Sequence, residues 1–122
     1  MIVAGFGFRA SATADSLRDA LARAAGERQV TAFAAPEDRA QAACLSALAG
    51  ALAVEIHTVA ADDLRRQQTQ TEAPRVRAAR GTGSVAEAAA LAAAGQGARL
   101  LAPRSISADR LATCAIAIGE GA

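Results

Sequence analysis

Only eight residues, 103–110, separate the last two apolar runs of this chain, 98–102 and 111–118. A parallel neighbour in a sheet needs a crossover of about a dozen residues or more, so this connection is too short for one and permits an antiparallel pairing instead. Upstream, apolar runs alternate with helical patterns. Residues 2–7 read as a strand ended by glycine, and 13–25 then places Leu17, Ala20, Leu21 and Ala24 on one helical face. A second strand, 30–35, is closed by Pro36, and 37–49 carries Ala40, Cys44, Leu45 and Leu48 at helical spacing. Residues 52–58 alternate Leu52, Val54 and Ile56 against Ala53, Glu55 and His57, the pattern of a half-exposed strand near an edge. A short helical piece follows at 61–66. Helix 84–94 is stopped by Gly95 and Gly97, and the strands at 98–102 and 111–118 close the chain.

The expected fold is α/β. A single domain of 122 residues has helices on both faces of a mixed, mostly parallel five-stranded sheet, with the fifth strand antiparallel. A chain of this length buries about two thirds of its unfolded surface without cross-links. Ligands in open α/β sheets sit beyond the carboxyl ends of the parallel strands. The segments expected there are 8–12, the polar connection 67–83 and the bend 103–107, which together predict one shared rim.

Charge and aromatic content exclude some functions. All 13 basic residues are arginine, so a lysine Schiff base is impossible, and every fixed positive charge is a planar fork suited to carboxylate or phosphate. The net charge is +1, with three Phe and no Tyr or Trp. That pattern excludes a nucleic-acid binder, which needs a basic face and stacking aromatics. Cys44 and Cys114 belong to no C-x-x-C or Cys/His cluster, so no metal site is expected and both read as small buried hydrophobes. His57, the single histidine, reads as a surface residue. No apolar run approaches the ~20 residues of a membrane span, and the chain opens directly on a strand, which predicts a cytoplasmic protein.

Two glycine signals stand out. In 80–87, Arg80-Gly81-Thr82-Gly83-Ser84-Val85-Ala86-Glu87, Ser84 and Glu87 have capping-box spacing at a helix start preceded by Arg75, Arg77 and Arg80. Unpaired N–H groups and the helix dipole there favour an anion. The second, Gly5-Phe6-Gly7-Phe8-Arg9-Ala10, fits the G-x-G-x-x-A phosphate turn of dinucleotide folds. That assignment fails, because the following helix begins near residue 13 and Ala35-Pro36 stands where an acidic residue should meet a ribose. Arg9, at the strand exit, is placed to pair with a carboxylate. No Ser/His/Asp or Cys/His set can be assembled.

These residues resemble the small cobalamin-biosynthesis family that comprises the CobE proteins and the C-terminal domain of CbiG. The resemblance runs nearly end to end. It is carried by Gly5-Phe6-Gly7-Phe8-Arg9, by Thr69-Gln70-Thr71, by the run from Gly81 to Leu91, and by 98–104 with 112–117. Members related to CbiG usually follow the first glycines with Cys-Arg-Arg-Gly and carry Lys and Glu after the second strand. Here Phe8, Ala10 and Ser11 intervene and lysine is absent. The resemblance implies a protein that binds corrin-ring intermediates of precorrin or hydrogenobyrinic acid type, as an accessory or carrier in cobalamin (vitamin B12) biosynthesis. No cofactor or metal is implied, and the partners are the tetrapyrrole and other enzymes of the pathway, with no membrane or nucleic acid. The implied ligand-binding residues are Gly5, Gly7, Arg9, Thr69, Gln70, Thr71, Gly83, Ser84, Glu87 and Arg104. Two alternatives accompany this reading. One is hydrolysis of a precorrin ring lactone, as in CbiG, with Glu87 or His57 carrying a proton and Ser84 or Thr71 placing water. The other is docking of an exposed edge strand on a pathway enzyme.

Overall fold

The first strand, β1 (Ile2–Phe8), lies at the middle of the sheet, and its alternating residues divide the interior into two cores. The computed structural model describes residues 1–67 and 85–120. On one side β1 pairs in parallel with β2 (Ala32–Pro36), which pairs in parallel with the edge strand β3 (Glu55–Val59). On its other side β1 pairs along its full length with the antiparallel β6 (Ala112–Ile118), from Ile2↔Ile118 to Phe8↔Ala112. The far edge of β6 is met by two short strands, β4 (Arg99–Leu100) and β5 (Ser105–Ile106), both antiparallel to it. All strands but β6 therefore point the same way.

Helices cover both faces. Ala4 and Phe6 face α1 (Ala14–Ala25) and α2 (Ala43–Leu52), together with Phe33, Ala35, Cys114 and Ile116. The Phe6 ring meets Phe33 edge-on at 4.9 Å between centroids, a preferred aromatic geometry. Val3, Ala32, Ala34, Ala115 and Ala117 face α3 (Ala61–Arg66) and α4 (Val85–Ala94). Helix α4 is alanine-rich and buried nearly all round, as expected of a helix with no polar stripe. Its smooth surface lets it lie against β1, where a Cβ on Gly5 would stand 2.2 Å from Ala86 O and 2.5 Å from Ala90 N. Thr13 and Ser16 start α1 with a reciprocal cap: Thr13 Oγ1 accepts from Ser16 N at 3.2 Å, and Ser16 Oγ accepts from Thr13 N at 3.1 Å.

The three-layer α/β fold and the opposed final strand agree with the reading of the sequence. The strand count does not. Residues 98–106 form one interrupted edge: Leu101 N still donates to Ile116 O at 2.9 Å, the chain then leaves the ladder at Pro103, and Ser105–Ile106 returns to it, giving six strands among the described residues. Pro103 has no N–H to give the ladder, which accounts for the break. The second helix also starts later than the periodicity implies. Residues 37–41 form a turn in which Arg39 N and Ala40 N both donate to Pro36 O at 2.9 Å, and Ala42 caps the helix in an extended conformation. Gly50 then lies within α2, which runs on to Leu52 and closes through Ala53 at φ 57°. Gly95 and Gly97 end α4 with φ of 83° and 73°, as anticipated. Cys114 is fully buried, but Cys44 is only partly so.

Candidate functional site

A cavity of about 610 Å³ opens beyond the carboxyl ends of β1 and β2. Most of its wall follows from strand ends, with Leu64 of α3 added. Gly7, Phe8 and Arg9 close β1, and Arg9 N extends the ladder by donating to Leu111 O at 2.9 Å. Thr113 Oγ1 donates to Gly7 O at 3.1 Å, so β6 fixes the β1 exit from the side. Pro36, Asp38 and Arg39 come from the turn after β2, and Val85 from the first turn of α4. Arg104 and Ile106 enter from the broken edge, and Arg110 from the turn leading into β6.

The charge on these walls is one-sided: four arginines, Arg9, Arg39, Arg104 and Arg110, and a single aspartate, Asp38, line the cavity among the described residues. No carboxylate of the described residues lies within ion-pair distance of Arg9, Arg39 or Arg110; the ion pairs among the described residues join Arg23 to Asp19, Arg65 to Asp62 and Arg66 to Asp63, and Glu55 faces His57. Three guanidinium groups thus present fork-shaped donors to one space with no carboxylate partner among the described residues.

Arg39 is the most constrained of these three. Its Nε donates to Phe8 O at 3.1 Å, and its guanidinium carbon stands 5.9 Å from the centroid of the Phe8 ring, within cation–π range. Arg110 sits at φ 62°, left-handed for a non-glycine residue. A braced turn holds it there. Asp109 Oδ1 accepts from Ser107 Oγ at 2.6 Å and Leu111 N at 3.0 Å, and Asp109 Oδ2 accepts from Ser16 Oγ at 2.6 Å. Ala108 N donates to Asp19 at 2.7 Å, tying the same turn to α1. The hydrogen bond from Ser107, then that from Ser16, hold the Asp109 carboxyl below its ordinary pKa, and the Ala108 N–H does the same for Asp19.

Of the residues singled out in the sequence, Gly7, Arg9 and Arg104 line this cavity. Gly5 and Glu87 do not. Gly5 is buried against α4, where any larger residue would strike helix backbone. Glu87 is fully buried, and its Oε2 accepts the backbone N–H of Arg104 at 3.1 Å, joining α4 to the broken edge. Thr69, Gln70, Thr71, Gly83 and Ser84, with the expected Ser84–Glu87 cap, lie outside the described residues. Two of the three rim segments therefore meet, through Phe8 and Arg9 and through Arg104 and Ile106, while most of the third, 67–83, falls outside the described residues. His57 lies on the edge strand β3, half-exposed and 3.7 Å from Glu55 through Nε2; it is not among the cavity's residues. Arg39 and Arg110 escape a reading of the sequence. The strand-end rule that selects Arg9 would also find Arg39 if the turn after Pro36 were separated from the second helix. Nothing in the sequence marks the left-handed turn at Arg110.

Comparison with known proteins converges on one family. The family described as Cobalamin synthesis G C-terminus matches residues 2–117. The chain is similar to the crystal structure of CobE, a protein from the cobalamin (vitamin B12) biosynthetic pathway, with 28% identity and a TM-score of 0.82 over 100% of this chain and 92% of that one. It is also similar to the cobalamin biosynthesis protein chiG from Agrobacterium tumefaciens, at 37% identity and a TM-score of 0.75 over 98% and 99% of the two chains. A cobalamin biosynthesis protein G homolog from Sulfolobus solfataricus shares the fold at 21% identity and a TM-score of 0.72, over 98% of this chain and 37% of that one. No curated protein matches the sequence. No helix among the described residues is long and apolar enough to cross a membrane.

Proposed function

The chain belongs to the cobalamin synthesis G C-terminus family and is a protein of cobalamin biosynthesis, and from that premise we propose that it binds a corrin-ring intermediate of the precorrin or hydrogenobyrinic acid type, holding it by peripheral carboxylates for transfer between cytoplasmic enzymes of the pathway. One observation carries this reading. Arg9, Arg39 and Arg110 line a single cavity with no carboxylate partner among the described residues. Corrin intermediates bear several acetate and propionate groups, and each is a planar acceptor matched to a guanidinium fork. The cavity volume of about 610 Å³ falls within the range of small-molecule sites, roughly 300–1,000 Å³. The first turn of α4, entering the cavity at Val85, adds the positive end of a helix dipole. Gly7 lets β6 and α4 pack closely at the β1 exit, since a Cβ there would meet Thr113 Oγ1 at 3.1 Å and Val85 Cβ at 3.5 Å.

Affinity in this scheme comes from charge recognition and aliphatic contact, with the Phe8 ring as the aromatic surface of the cavity. Titrating the purified protein with hydrogenobyrinic acid and a panel of precorrin-type intermediates, followed by visible absorbance, tests the proposal. Spectral shifts that saturate and weaken with added salt are expected. Absence of any shift across the panel would dismiss it.

A further inference from the structure

We infer that Arg39 is the principal carboxylate anchor of the cavity and that Phe8 is the residue that positions it; this rests on the corrinoid reading above and assigns its specificity to one side chain. The observation is the state of the Arg39 guanidinium. Its Nε is already committed to Phe8 O at 3.1 Å, and its guanidinium carbon stands over the Phe8 ring at 5.9 Å from the centroid. The two Nη groups have no acceptor among the described residues, and the residue lines the cavity beside Gly7 and Arg104.

An arginine loses about 2 kcal/mol of rotamer freedom when it is immobilised on a ligand. Much of that loss has already been taken at Arg39 by folding, whereas Arg9 and Arg110 are exposed and have no side-chain hydrogen bond among the described residues. A preorganised fork therefore binds a carboxylate more tightly than a free one of equal charge. With Nε engaged, the remaining Nη pair offers two N–H donors toward the two oxygens of one carboxylate. A carboxamide has a single acceptor oxygen and would place its own NH2 donors against the fork. The site should thus distinguish a free acid from the corresponding amide, and the discrimination should reside in Arg39.

Cobyrinic acid and cobinamide serve as probes, because they share a corrin ring but carry free carboxylates in the first and amidated side chains in the second. The unaltered chain should bind cobyrinic acid at least tenfold more tightly than cobinamide. Arg39→Ala should lose about ten- to hundred-fold in affinity for cobyrinic acid, the loss expected for a charge-assisted hydrogen-bonded group, and little for cobinamide. Arg9→Ala should lose less. Arg23→Ala, which removes the same charge from an exposed position on α1 paired to Asp19, should stay within twofold. Arg39→Lys should not restore binding, since a lysine can neither use the Phe8 carbonyl in the same way nor present a fork. Phe8→Leu keeps the carbonyl and removes the ring. It should weaken binding several-fold in the unaltered chain and not at all in the Arg39→Ala background, a coupling that a purely structural Phe8 would not show. Tight cobyrinic acid binding that survives Arg39→Ala and Arg39→Gln within twofold overturns this inference and leaves the corrinoid reading standing. Failure of the unaltered chain to bind cobyrinic acid while it binds another intermediate of the panel above removes this inference alone, and failure with every corrinoid removes both.

Discussion

Substituting Gly5 by alanine should destabilise the architecture from its centre. The added Cβ would lie 2.2 Å from Ala86 O, 2.5 Å from Ala90 N and 2.9 Å from Ala90 Cβ. Ordinary carbon contacts are about 3.5–4.0 Å, so the closest approach is short by more than about 1 Å, and two of the three obstructing atoms are helix backbone that no rotamer change can move. Relief requires α4 as a whole to withdraw from β1. Overpacking of a well-filled core typically costs about 1–3 kcal/mol, more where side chains cannot yield. Lifting α4 also opens the core it shares with Val3, Ala32, Ala34, Ala115 and Ala117. We expect a loss of at least about 3 kcal/mol, against a total of about 6–18 kcal/mol for a domain of this size, and a fall in Tm of the order of 10 °C.

Urea denaturation followed by far-UV circular dichroism measures it, with Gly50→Ala as the internal control. Gly50 lies inside α2, and an added Cβ there would meet nothing within 4 Å. At that position the same chemical change removes only the backbone-entropy penalty of a helical glycine and should stabilise by about 0.5–1 kcal/mol. The two substitutions should therefore move the midpoint in opposite directions. A Gly5→Ala protein within about 0.5 kcal/mol of the unaltered chain, the size of an ordinary surface substitution, would refute the claim that close helix approach, and not ligand contact, is what this glycine serves.

Two further outcomes are expected. Asp109 and Asp19 are both held below the ordinary carboxylate pKa by hydrogen bonds made in the folded chain, so their contribution to stability is present above the unfolded value of about 3.9 and is lost as pH falls through the folded values; Asp109→Asn should flatten the acid limb of a Tm-against-pH profile below about pH 4. Burial pushes the Cys114 thiol well above its usual pKa, so in native buffer a thiol reagent such as DTNB should label the partly buried Cys44 first and reach Cys114 only in urea.

Much of the fold is legible in the sequence because its determinants are local. An eight-residue connection imposes the opposed final strand, and the period of Leu17, Ala20 and Ala24 imposes α1. The departures have physical causes too. The spacing of Ala40, Cys44 and Leu48 looks helical because Ala40 is buried beside the helix, yet 37–41 is a turn organised by the carbonyl of Pro36. Leu52 suits a strand by type, but the helix continues to it, since a glycine at 50 does not halt a helix whose carbonyls are already satisfied by Ala53 and Val54. At the cavity, strand-end reasoning selects Arg9 and Arg104. Gly5 groups with them in sequence because glycine next to a phosphate and glycine beneath a helix have the same signature; only the distance to Ala86 separates the two.

The placement of Glu87 shows how packing and site are joined. It is a carboxylate with no exposure, on a helix otherwise built from alanine and aliphatic residues, and burying such a group is costly unless its oxygens are satisfied. Part of that satisfaction comes from Arg104 N, at the point where the edge strand leaves β6 beyond Pro103. An uninterrupted edge strand would direct N–H groups at β6. The break turns one of them toward α4 and carries residue 104 to the cavity wall. Gly5 sets how near α4 stands to the sheet, Glu87 transmits that distance to residue 104, and the position of a cavity arginine thereby depends on a glycine buried beneath the helix. Binding and stability should accordingly fall together in Gly5→Ala, while Arg39→Ala should lower binding and cost only the ~1 kcal/mol of its hydrogen bond to Phe8 O.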